Sequence, residues 1–125
     1  MNYYLTIAVG GALGAMSRYW ASTLAEKYNS GQFPLGTFIV NVAGSLLIGF
    51  FFVLLTEKIQ LAEHYRPLVM IGFLGAFTTF STFSLDVVLL LQQGNVLTAS
   101  WYIGLSVVTC VLATWATISI ARVFI

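Results

Sequence analysis

Gly72-Phe73-Leu74-Gly75-Ala76-Phe77-Thr78-Thr79-Phe80-Ser81-Thr82-Phe83-Ser84 is the stretch on which the reading of this chain turns. It lies in the middle of residues 68–91, whose only charge is Asp86. A run of that length crosses a bilayer core, which takes about 20 apolar residues per helix. A span that only anchors would be filled with Leu, Ile and Val. This one packs two Gly, three Thr, two Ser and four Phe into thirteen positions.

Working outward, the whole chain is of one kind. Its 125 residues are 59% hydrophobic and 7% charged, with a mean hydropathy of +0.94. Soluble domains carry about 25% charged residues, so this is an integral membrane protein with no room for a separate soluble domain. The net charge of +1 comes without any basic run and gives no sign of nucleic acid. A single cysteine, Cys110, excludes an internal disulfide. The first apolar run has no basic region before it and no small-residue cleavage site, so it reads as a retained span.

Charges mark the span boundaries. Arg18 is the only charge in residues 3–25, and residues 35–56 and 96–121 have none. With residues 68–91 these make four helices in one membrane domain, 1–125, with both termini on the same side. Residues 26–33 form a polar loop ending at Pro34, residues 57–67 a second loop, and Gln92-Gln93-Gly94-Asn95 a tight turn. Strands alternating over about 10 residues, the mark of a membrane barrel, are absent from this pattern. Lys58, Arg66 and Arg122 fall on one side, Lys27 and Arg18 on the other. That bias is small, and the positive-inside rule works on such differences. Gly10, Gly11, Gly14 and Ala15 give a small-residue face on the first span, and Gly44, Ser45 and Gly49 one on the second. Such faces let helices approach closely in lipid; they fit packing inside one chain or self-assembly into a dimer, and the thinness of a four-helix bundle favours the dimer.

Polar groups inside a membrane are costly and mark function. Arg18 and Asn41 come to similar depth, about 10 Å inward from the ends of antiparallel spans. Together they suit a path for negative charge. Taken singly, Arg18 can snorkel and Asn41 can simply bond a neighbouring helix. No Asp or Glu lies near the middle of any span, which disfavours a proton-coupled cation exporter. On the fourth span Tyr102, Ser106 and Cys110 repeat at four residues, one helix face, with Thr114 beyond; Ser and Thr hydroxyls often bond only their own backbone. In the opening stretch, the glycines weaken the helix and five hydroxyl residues from Thr78 to Ser84 can satisfy freed backbone groups. That predicts a helix broken near 75–80 at the midplane, which is tolerated only inside protein or at a cavity wall and is a recurring transporter device. Phe80 and Phe83, three apart, share one face where the backbone is helical; they suit a Phe stripe packing a dry interface, or an anion lying against the positive edge of a phenyl ring, a reading that the alternation with Thr and Ser supports.

Gly-Ala-Phe-Thr-Thr-Phe-Ser-Thr-Phe-Ser at 75–84 resembles the signature of the Fluc/CrcB fluoride channel family. Gly-Gly-Ala-Leu-Gly-Ala with Arg18, and Gly-Thr-Phe-Ile-Val-Asn-Val-Ala-Gly-Ser at 36–45, agree with it. The resemblance covers the whole chain. It implies an all-α, antiparallel dual-topology homodimer in the cell inner membrane that exports fluoride passively and is not an enzyme. Phe80 and Phe83 would face the ion with their edges, Asn41 would line the pore, and Ser81 and Thr82 would supply hydroxyls at the break. Tyr102 and Ser106, with Thr114 as a further contributor, match a polar track on the fourth helix, which often carries a hydroxyl where this chain has Cys110. Arg18 matches a vestibule arginine, and Thr37 is a vestibule contact. Gly75 and Thr78 match positions whose backbone carbonyls hold a central structural Na⁺; no organic cofactor is implied. The competing readings are a small dual-topology drug exporter coupled to protons, which wants a buried Glu on the first span, and a membrane anchor or assembly subunit that passes no ion.

Overall fold

The computed structural model describes residues 2–59 and 63–125. Helix α1 runs Tyr3–Lys27. Asn2 caps its start, accepting from the amides of Tyr4 at 3.1 Å and Leu5 at 3.4 Å. Helix α2 runs Leu35–Phe52 and continues through Val53–Lys58 in wider π-helical turns. Helix α3 begins in π-helical turns at Pro67–Leu74 and tightens over Gly75–Phe77. Proline opens it, where a missing amide hydrogen costs nothing. After two extended residues, α4 runs Phe80–Gln92, and α5 runs Val96–Phe124. No strand occurs among the described residues.

Among the described residues, three helical rods are long and apolar enough to cross a membrane: Leu35–Lys58, Pro67–Gln92 with its break, and Val96–Phe124. Helix α1 has 25 residues but carries Ser17, Arg18, Ser22 and Thr23. The helices run one to three residues past the boundaries expected from charge, ending at Lys27, Lys58, Gln92 and Phe124. Helical hydrogen bonding does not stop where the first charge appears. Residues 60–62 of the expected second loop lie outside the described residues. The expected turn after Gln92 is present: Gly94 has φ +79°, a conformation glycine adopts without strain, and the Asn95 amide donates to the Leu90 carbonyl at 2.9 Å.

Two helix pairs dominate the packing, α1 on the first part of α3 and α2 on α5. Glycines set both. A Cβ at Gly10 or Gly14 would run into the carbonyls of Leu68 and Phe73, and one at Gly49 into the Thr117 hydroxyl. Gly44 is pressed against the Thr78 side chain. Gly10, Gly14, Gly44 and Gly49 of the two small-residue faces are therefore used in contacts within the chain, one of the two readings their spacing allows. Gly14→Ala is expected to cost about 1–3 kcal/mol through overpacking, read as a lower thermal midpoint in detergent. Gly104→Ala is the control, because nothing lies within 4 Å of its added methyl; an equal loss there would discount the close crossing.

The remaining core is aromatic. Phe83, Leu90, Ala99 and Tyr102 are buried together. Ring pairs run Phe38 to Phe33, Phe33 to Tyr102, and Tyr102 to Phe83, with centroids 5.3, 5.2 and 5.0 Å apart. At the loop end, Glu26 accepts from the Gly36 amide at 2.7 Å and from the Asn29 side-chain amide at 3.0 Å. Glu26 thus serves the start of α2, where Pro34 offers no side-chain cap. At the other end Arg122 meets Glu57 at 2.7 Å, an exposed pair that ties α5 to α2 and adds little stability.

Candidate functional site in the broken third span

Only Thr78 and Thr79 leave the helical conformation, with φ/ψ of −88°/158° and −152°/122°. The break is narrower than the expected 75–80. Asn41 holds it from α2. Its Oδ1 accepts from the Thr79 amide at 2.8 Å, and its Nδ2 donates to the Thr79 carbonyl at 2.9 Å. The Thr79 hydroxyl accepts from the Thr82 amide at 3.1 Å and so caps α4. The Thr78 hydroxyl donates back to the Leu74 carbonyl at 2.9 Å, and Ser84 to the Phe80 carbonyl at 2.9 Å. Most hydroxyls of the stretch therefore bond backbone, as Ser and Thr commonly do.

The clamp has a further consequence for the backbone. In an unbroken helix the Thr79 amide would bond the Gly75 carbonyl, and the Thr82 amide the Thr78 carbonyl. Both amides bond elsewhere. The two carbonyl oxygens lose these partners at the same break. No group of three or more His, Cys, Asp or Glu capable of holding a metal occurs among the described residues.

Two cavities adjoin the break. The larger, about 380 Å³, is lined by Asn41, Thr78, Phe80, Phe83, Ser106 and Cys110 among others, with no charged side chain. Phe80 and Phe83 lie 5.4 Å apart at 42°. Phe83 is buried at 8% exposure, whereas Phe80 stands 77% exposed at the cavity's open side. The smaller, about 220 Å³, is lined by Arg18, Ser22, Thr37, Thr79 and Thr82 among others. Thr79 forms a wall of both. The sequence-predicted residues thus divide: Asn41, Thr78, Phe80, Phe83 and Ser106 share one cavity, and Arg18, Thr37 and Thr82 the other. Ser81 is exposed beside Thr79, with hydroxyl oxygens 3.4 Å apart. Gly75 is exposed on the surface of α3.

The face of α5 is less uniform than its spacing suggests. Tyr102 is fully buried and donates to Asp86 Oδ2 at 2.9 Å. Thr114 donates to the Ser45 carbonyl at 3.0 Å and does not line the larger cavity. Ser106, between them, has a buried hydroxyl with no partner among the described residues. Two contributors escaped the sequence reading. Thr79 carries both the clamp and the cap; its signal was a Thr three residues before Thr82, the cap position of a helix start. Asp86 anchors Tyr102, and nothing in the spacing announces that pairing.

The profile of the family described as "CrcB-like protein, Camphor Resistance (CrcB)" matches residues 5–118. The chain belongs to this CrcB-like family. Relatives agree along most of its length. The fluoride-specific ion channel FluC of Methylocella silvestris is 46% identical over 90% of this chain and 87% of its own. That of Hahella chejuensis is 45% identical over 95% of this chain and 94% of its own. That of Methylococcus capsulatus is 46% identical over 98% of this chain but only 54% of its own, so the chain spans about half of that relative. The CrcB-like match contains the whole break, the Asn41 clamp and both cavities.

Proposed function

We propose that this CrcB-like chain forms a fluoride channel that lets fluoride leave the cell passively across the cytoplasmic membrane. The observation that carries the reading is the uncharged cavity at the break, where Phe80, Phe83 and the unpartnered Ser106 hydroxyl converge. Fluoride is small and strongly hydrated, and stripping its water is costly unless donors replace it. A ring edge and a hydroxyl are neutral donors. They offset dehydration without trapping the ion, which conduction requires. Arg18 in the adjoining cavity attracts anions toward the path. The second Nδ2 hydrogen of Asn41 is not used by the Thr79 clamp and remains for the cavity.

Lipid surrounds four crossings in this reading, α1 included, and the channel is an antiparallel dual-topology homodimer. Phe80 and its apolar neighbours Val107 and Val111 are exposed along the cavity, and a second copy laid over them turns an open groove into an enclosed path. The small Lys/Arg bias suits insertion both ways. At the centre of that dimer, the carbonyls of Gly75 and Thr78 would hold a Na⁺, a hard cation suited to oxygen ligands. It would supply positive potential for the anion and pin the two breaks together.

The proton-coupled exporter is disfavoured by the same cavity. Glu26 and Asp86 line a separate polar pocket near the first loop, and each already accepts a hydrogen bond. Neither reaches the break. The deciding measurement is fluoride efflux from liposomes carrying the purified chain, with protein-free liposomes as control. Rapid efflux is expected; efflux no faster than the control would sink the channel reading.

A further inference from the structure

Cys110, the chain's single cysteine, is a free, half-buried thiol on the wall of the larger cavity. A lone thiol in apolar surroundings is ordinarily just packing. What sets this one apart is Ser106, one turn earlier on α5. Its residue is only 6% exposed, it lines the same cavity, and its hydroxyl bonds nothing among the described residues. On the same face Tyr102 and Thr114 have spent their hydroxyls on Asp86 and Ser45. An unsatisfied buried hydroxyl is destabilising, a cost relieved when a polar species enters. Residues one turn apart stand about 5–6 Å apart at Cβ, so a species meeting Ser106 is beside the Cys110 sulfur. With no charged side chain on the cavity wall, no fixed charge there is desolvated when an uncharged species enters.

We propose that Ser106 and Cys110 form a binding site for small, neutral, thiol-seeking compounds of soft metals, and that filling it closes the cavity to ions. Closure rests on the fluoride-channel reading above; binding does not. Soft metals select thiolate sulfur. With mercury(II) chloride as the probe, the S–H bond breaks and an S–Hg bond forms. One chloride leaves mercury and the proton goes to solvent; no atom changes oxidation state. Ser106 replaces a water of the entering complex, and Cys110 holds it.

The test treats the full chain in fluoride-loaded liposomes with mercury(II) chloride and reads intact mass and efflux together. One mercury per chain and at least a tenfold fall in efflux are expected, both reversed by excess dithiothreitol. Cys110→Ser is expected to gain no mercury, and whatever flux it carries should be the same with and without the reagent. Ser106→Ala keeps the thiol but should acquire mercury several-fold more slowly. Absence of the adduct in the folded chain, with ready reaction after denaturation, overturns the site. An unchanged labelling rate in Ser106→Ala removes Ser106 from it, and an adduct with undiminished efflux overturns closure. If untreated protein passes no fluoride, the channel reading fails, while the mass arm still decides the site.

Discussion

Asn41→Asp is expected to abolish fluoride efflux while leaving a chain that still inserts. The substitution acts twice. Aspartate cannot donate to the Thr79 carbonyl, which now faces a carboxylate oxygen where an amide nitrogen stood at 2.9 Å; leaving that acceptor unpaired costs about 1–3 kcal/mol. It also puts a negative charge on the wall of an uncharged cavity. At about 4 Å and an effective dielectric near 20, two like charges repel by about 4 kcal/mol, roughly a thousandfold in rate at about 1.36 kcal/mol per decade. Asn41→Ala separates the two effects. It loses the clamp without adding charge, so its thermal midpoint should fall much as in the aspartate variant, while it keeps far more flux. Liposome efflux beside thermal unfolding in detergent measures both. Equal flux in the Asp and Ala variants would show that no anion passes Asn41.

That experiment addresses a role the sequence left open, for reasons visible in the residues. The break was legible because glycines and five hydroxyls sit where an anchoring span has aliphatic residues. The spans were legible because charge is rare and placed at their ends. The partner of Asn41 was not, because Thr79 is 38 positions away in sequence and no periodicity reports what two helices bring together. The glycine stripes show the same limit. Spacing says that Gly10 and Gly14 share a face; it does not say that the face meets the backbone of α3. The resemblance named Gly75 and Thr78, and the amides of Thr79 and Thr82 bonding elsewhere supply a physical reason for their carbonyls to be free. It also grouped Thr114 with Ser106, yet one hydroxyl is spent on Ser45 and the other is not.

Phe80→Ile and Phe83→Ile are expected to fail differently, and the difference tests what the rings do. Phe83 is buried against Tyr102 at 5.0 Å. Replacing its flat ring with a branched aliphatic chain reshapes the core and should cost about 1–3 kcal/mol, along with flux. Phe80 is 77% exposed on the single chain and opens α4. Its replacement removes little packing within the chain, so a monomer's stability should barely move. The flux should nevertheless fall several-fold, because isoleucine has no positive edge to set against an anion. Edge contacts between aromatic rings are worth about 0.5–1.5 kcal/mol, and a loss of that size is about two- to thirteen-fold in rate. Leucine at either position should behave like isoleucine, whereas tyrosine, which keeps the edge, should retain part of the flux if its hydroxyl fits. If Phe80→Ile conducts like the parent, the exposed ring serves only to cover the groove, and the donors for the anion must be sought among Ser106 and the Asn41 amide alone.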